Sequence, residues 1–109
     1  MSVRRIAQVI GVKPDDIEEY ERIHADVWPT VLATIKNANI QNYSIFRYEH
    51  LLFAYMEYTG TDYEKDMETI ATDPETQRWW KITDPMQSQV PEARPGEWWH
   101  VIPENFHVD

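Results

Sequence analysis

Tyr20 and His24 lie four residues apart, and together they are the pair in this chain best suited to moving protons. Four residues is about one helical turn, so on a helix the two side chains stack on one side. An imidazole is the only side chain whose unperturbed titration falls near neutrality, which makes it the natural proton shuttle. A phenol beside it can donate to a substrate oxygen or orient the ring. Both residues also fall on an apolar stripe, where a neutral histidine is often a satisfied core residue. Two polar tips facing inward together shift the reading toward chemistry.

A second feature is the adjacent pair Trp79-Trp80, which follows Gln77-Arg78. Neighbours on a helix point roughly 100° apart, so two indoles cannot easily bury in one place. The second needs another surface: a pocket wall, a subunit interface or a ligand. An indole suits a site that is apolar on one side and wet on the other, and a sugar ring has that character. On the pair alone, packing in a core or an interface stays an equal alternative.

Tyr43 opens a predicted strand, and whether it faces the same cavity depends on strand register. His50 falls in a predicted turn, and His100 and His107 belong to the C-terminal segment. The four histidines lack zinc-type spacing with Asp, Glu or Cys, so no metal is expected. With three glycines there is no phosphate-cradling loop, and no motif supports a serine triad. No cofactor is expected.

Composition narrows the partners. The net charge is −9, from 19 acidic and 10 basic residues, which argues against nucleic acid, an anionic membrane or a phosphorylated substrate. A neutral small molecule is compatible. There is no cysteine, hence no disulfide framework and no thiolate chemistry. The start has basic residues before a short apolar run without a signal-type cleavage site, and no run reaches membrane-spanning length. A cytoplasmic protein of one domain, residues 1–109, is expected.

Elements must position these residues. Residues 4–12 read as a strand. Pro14-Asp15-Asp16 opens a helix, and Ile17, Tyr20, His24, Val27, Trp28, Val31, Leu32 and Ile35 recur at three- and four-residue steps. Pro29 predicts a kink or a restart near Trp28. Residues 37–42 read as a turn region, 43–48 and 51–58 as a hairpin without the usual Asn-Gly turn. Residues 62–73 and 75–82 read as helices, 84–97 as a Pro-rich loop, and 104–108 as a final strand. The order is βαββαβ, a ferredoxin-like α+β fold: an antiparallel sheet with helices on one face. The second face needs a cover, and pairing of two chains is one way to provide it.

Taken together, Tyr20-x-x-x-His24-x-x-x-Trp28-Pro29, Asn42-Tyr43-Ser44-Ile45, Leu51-Leu52-Phe53-Ala54, Gln77-Arg78-Trp79-Trp80 and Thr83-Asp84-x-Met86 resemble the L-rhamnose mutarotase family. The closing Glu104–Asp109 segment is similar to that family's terminal strand. The resemblance implies a dimeric α+β barrel of ferredoxin-like subunits that interconverts the α and β anomers of a neutral 6-deoxy-hexose. By that resemblance His24 is the proton donor, and Tyr20, Tyr43, Trp79 and Trp80 shape the sugar site. Trp98-Trp99 forms a second indole pair in a stretch that departs from some members. L-rhamnose and L-fucose are both open as substrates. On the same scaffold, a cofactor-independent oxygenase or a non-enzymatic binding dimer is the alternative.

Overall fold

The computed structural model describes residues 3–109; Met1 and Ser2, at the head of the basic-then-apolar start, lie outside them. Strand β1 (Arg4–Val12) runs through the middle of an antiparallel sheet. Its residues Ile6, Ile10 and Val12 alternate onto one face and are buried. A 3-10 turn, Pro14–Asp16, leads into α1 (Ile17–His24), and α2 (Pro29–Asn37) follows. Pro29 sits in the first turn of α2, where no amide donor is needed, and Trp28 before it is extended. The proline therefore restarts a helix rather than bending one.

Strands β2 (Ile40–Tyr48) and β3 (Leu51–Tyr58) form the hairpin. Glu49 takes a positive φ of 54°, so the two-residue turn closes without glycine. β2 begins at Ile40, so the expected turn region 37–42 shrinks to Ala38 and Asn39, with Asn39 at φ 67°. Asparagine tolerates that left-handed backbone.

Helices α3 (Tyr63–Thr72) and α4 (Pro74–Thr83) complete the helical layer. Asp73 caps α4, accepting from the Thr76 amide and hydroxyl at 2.9 Å each, and Pro74 occupies the first helical position. This cap fixes the start of the helix that carries both tryptophans.

The end of the chain differs from the expected strand at 104–108. Past α4, a 3-10 turn (Asp84–Met86) leads to β4 (Gln87–Ser88), and β5 (His100–Ile102) follows later. β4 pairs Gly11 and Val12, β5 pairs Ala7, Gln8 and Val9, and residues 103–109 form no strand. Pro103 lacks the amide that would extend the ladder beyond Ile102. A Cβ on residue 11 would lie 2.7 Å from the Ser88 carbonyl oxygen, so Gly11 is what lets β4 run alongside.

The sheet order is β2-β3-β1-β4, with β5 also on β1, and every pairing is antiparallel. This is the ferredoxin-like α+β arrangement, with each helical connection split in two and the last strand in two short pieces. The helices cover the face that carries Ile6, Ile10, Leu52, Ala54 and Met56. On the other face Phe46 pairs Phe53 and Tyr48 pairs Leu51, and Phe46 and Tyr48 are 63% and 69% exposed.

Candidate active site

The helix-facing side of the sheet holds two apolar clusters. One joins Ile6, Ile40, Met56 and Tyr58; the other joins Ile10, Val12, Tyr20 and Leu52. Between them, on the same face, Gln8 and Ala54 pair across β1 and β3. A methyl group and a polar amide thus separate the two clusters.

A β-bulge decides which side chains of β2 join this face. The pairing of β2 with β3 shifts by one residue between Gln41 and Ser44, and Asn42 takes φ 48°. Both Gln41 and Asn42 donate to Glu57 on the outer face, at 3.0 and 2.7 Å. With two consecutive residues turned outward, Tyr43, Ile45 and Arg47 fall on the helix-facing side; an unshifted register would send all three out. Tyr43 keeps 40% of its surface exposed along the edge strand, while burial around its phenol raises its pKa.

Over the second cluster, beside Leu52 and Ile45, α1 presents Tyr20 and His24 on one side, with ring centroids 4.0 Å apart and planes 22° from parallel. Trp79 of α4 sets its ring against His24 at 5.3 Å and against Trp28 at 5.2 Å, both edge to face. Trp79 is 7% exposed and Trp80 38% exposed. The two indoles thus divide as one helical step requires: Trp79 is enclosed behind the histidine, and Trp80 is free on one side.

His24 Nδ1 lies 2.8 Å from the Tyr20 carbonyl oxygen. A carbonyl only accepts, so Nδ1 carries the hydrogen and Nε2 keeps the free lone pair. Burial lowers the His24 pKa, only partly offset by that hydrogen bond, which favours the neutral ring. Burial pushes the Tyr20 phenol well up; a hydrogen bond from Gln87 pulls against the rise, and nearby Tyr43 adds to it. The result is a neutral base and a neutral phenol side by side.

Tyr20 and His24 open onto a cavity of about 260 Å³ whose other walls include Ile45, Leu52 and Arg47. That is below the range of drug-sized pockets, roughly 300–1,000 Å³, and suits a single small ring. Arg47 pairs with Glu21 at 2.5 Å on the rim, so its charge is balanced there.

The sequence profile of L-rhamnose mutarotase matches residues 5–108, almost the entire chain. The chain belongs to the L-rhamnose mutarotase family. An L-rhamnose mutarotase from Pectobacterium atrosepticum is 37% identical over 93 residues, covering 84% of this chain and 86% of that protein. One from Oceanobacillus iheyensis is 30% identical over 109 residues, covering 98% and 100%. The crystal structure of an L-rhamnose mutarotase from Formosa agariphila superposes with a TM-score of 0.76 at 19% identity, over 97% of this chain and 99% of that one, and shares the fold.

Within this mutarotase-family fold, Tyr20, His24 and Trp79 form one contact group and Tyr43 shares their side of the sheet, but the cavity at Tyr20 and His24 is lined by neither Tyr43 nor the two indoles, of which Trp80 is the more exposed. Three residues on or around the helix-facing side of the sheet escaped the sequence reading. Gln8 sits in an apolar-looking strand, where alternation alone could have flagged a polar residue on the core face. Gln87 is 6% exposed and contacts the Tyr20 hydroxyl, although it comes from a stretch that reads as loop. Arg47 needed the bulge to be seen.

Proposed function

We propose that the chain interconverts the α and β anomers of L-rhamnose, with the Tyr20 hydroxyl as the acid and His24 Nε2, neutral at the start, as the base that takes a proton and returns it, rather than the first donor that the resemblance implies. The observation that carries this reading is the fixed tautomer of His24, which leaves one basic nitrogen beside a buried, protonated phenol. Family membership supplies the sugar.

Ring opening needs two proton movements. Nε2 takes the proton of the anomeric hydroxyl while the Tyr20 hydroxyl gives its proton to the ring oxygen. The bond between the anomeric carbon and the ring oxygen breaks, and the anomeric carbon becomes a carbonyl. Rotation about the neighbouring carbon–carbon bond turns the other carbonyl face to the hydroxyl. The reverse transfers then close the ring as the other anomer and restore both residues. If the reaction in water takes roughly minutes, its barrier is about 21 kcal/mol. Paired acid and base help contributes roughly 10²–10⁴-fold, and orientation adds to it. Tyr43 and Trp80 belong to this reading by resemblance to the family, Trp80 through the exposed part of its indole, a stacking surface worth about 1 kcal/mol.

A homodimer belongs to this reading. The outer sheet face carries Phe46 paired with Phe53 and Tyr48 paired with Leu51, with Phe46 and Tyr48 largely exposed, and exposed apolar side chains grouped on one face suit an interface. A second copy laid on that face turns two open sheets into the barrel. Sedimentation of the wild type should give twice the chain mass at micromolar concentration, and Phe46→Lys should give the single mass. A wild type that sediments as a monomer would remove the dimer. A cytoplasmic location also goes with this reading, in keeping with a chain that has no cysteine; among the described residues no helix is long and apolar enough to cross a membrane.

The substrate is tested by NMR saturation exchange between anomers across a panel of L-rhamnose, L-fucose and D-glucose at equal protein concentration. L-rhamnose should exchange fastest. Faster exchange of L-fucose would move the substrate; no enhancement for any sugar would remove the mutarotase reading.

A further inference from the structure

Tyr20 is held by a chain of hydrogen bonds that comes from the loop joining β4 to β5. The Trp98 indole Nε1–H donates to Gln87 Oε1 at 2.7 Å, and Gln87 Nε2 donates to the Tyr20 hydroxyl oxygen at 3.4 Å. The direction of each bond is fixed by chemistry. An indole nitrogen can only donate, so the Gln87 atom facing it must be oxygen, and the amide nitrogen must face Tyr20. An amide nitrogen can only donate, so the Tyr20 oxygen accepts. The phenol's own proton is left free for another acceptor.

We propose that Trp98 and Gln87 form a one-way relay that positions the Tyr20 hydroxyl so that its proton points to the ring oxygen of the sugar. The proposal rests on the reading of Tyr20 as the acid. Without Trp98, the Gln87 amide can turn over, and its oxygen then accepts the Tyr20 proton and takes it away from the substrate. The relay has a built support. Glu97, next to Trp98, accepts from the Arg94 and Val101 amides and from His100, at 2.8, 3.1 and 3.0 Å. Those bonds hold its carboxyl well down, at about 2, with the Arg94 amide first among them. The segments on either side of the indole are therefore tied together, although 41% of Trp98 is exposed. Gln87 also tempers the rise that burial imposes on the phenol, which makes Tyr20 a better acid than its burial alone allows.

Trp98→Phe keeps the ring and removes the N–H; Gln87→Met keeps the length and removes both polar ends. Each should lower kcat by about three- to tenfold, the worth of one net hydrogen bond, while KM stays within about twofold. In a Tyr20→Phe background the same two changes should lower kcat by less than about 1.5-fold, because the group they aim is gone. The Trp98 indole proton resonance, assigned by its loss in Trp98→Phe, should shift upfield in Gln87→Met. A role in packing alone would lower kcat by the same factor with or without the Tyr20 hydroxyl, and that result overturns the relay. So does an unchanged kcat in Trp98→Phe. If Tyr20→Phe itself keeps wild-type kcat, it is the assignment of Tyr20 as the acid that fails.

Discussion

His24→Ala should leave folded protein whose acceleration of anomer exchange is lower by about 10²–10⁴-fold, the range general acid–base help supplies. The ring is only part-buried, and its loss removes stacking on Tyr20 and an edge contact with Trp79, so melting should fall modestly beside the loss in rate. His24→Gln is the informative companion, since an amide can hold the Tyr20 carbonyl but cannot take a proton near neutrality. Both variants should be equally poor catalysts. The pH dependence has a defined sign. Burial places the His24 pKa below the ordinary value of 6.5, so at pH 7 Nε2 is free to accept a proton. kcat/KM should be flat around neutrality and fall on acidification as Nε2 is occupied. A His24→Ala protein with full exchange, or a profile that rises as pH falls below 6, would sink the assignment.

Trp79→Ala should be the most damaging single truncation for stability, at about 3–5 kcal/mol. Trp79 is 7% exposed and lies between His24 and Trp28, so its removal opens a cavity that two rings cannot fill. Against a total of roughly 5–15 kcal/mol for a domain this size, that is a large share. The melting temperature should drop by more than about 10 °C. Trp80→Ala serves as the control one residue away. With 38% of its surface exposed, Trp80 should cost about 1 kcal/mol or less in stability and act mainly by raising KM. Equal melting losses for the two variants would mean that the indoles do not divide their work as proposed.

The contrast between these indoles was half legible in the sequence. Helical spacing requires that they diverge, yet spacing gives no origin for the rotation, so which one is enclosed depends on where α4 meets α1 and α2. Tyr20 and His24 were legible because a helix fixes the relation between positions four apart. Tyr43 was not, because its direction is set by one extra residue at Asn42, and a bulge stabilised by Glu57 leaves no trace in the alternation of β2. The order βαββαβ could be read from hydrophobic runs and prolines. The end of the chain could not: β5 is three residues long and β4 two, too short to show a period, and both exist because Gly11 and the edge of β1 offer a partner. Gln87 and Trp98 reach Tyr20 only through that docking, so a contact spanning 67 positions had no local signal.

Catalytic amounts of the protein should speed exchange between the two anomers of L-rhamnose, read by saturating one anomeric proton and following the other near pH 7. Wild-type protein should transfer saturation in proportion to its concentration, and the transfer should vanish in His24→Ala. Exchange no faster than in buffer alone would mean that the protein is not a mutarotase of L-rhamnose.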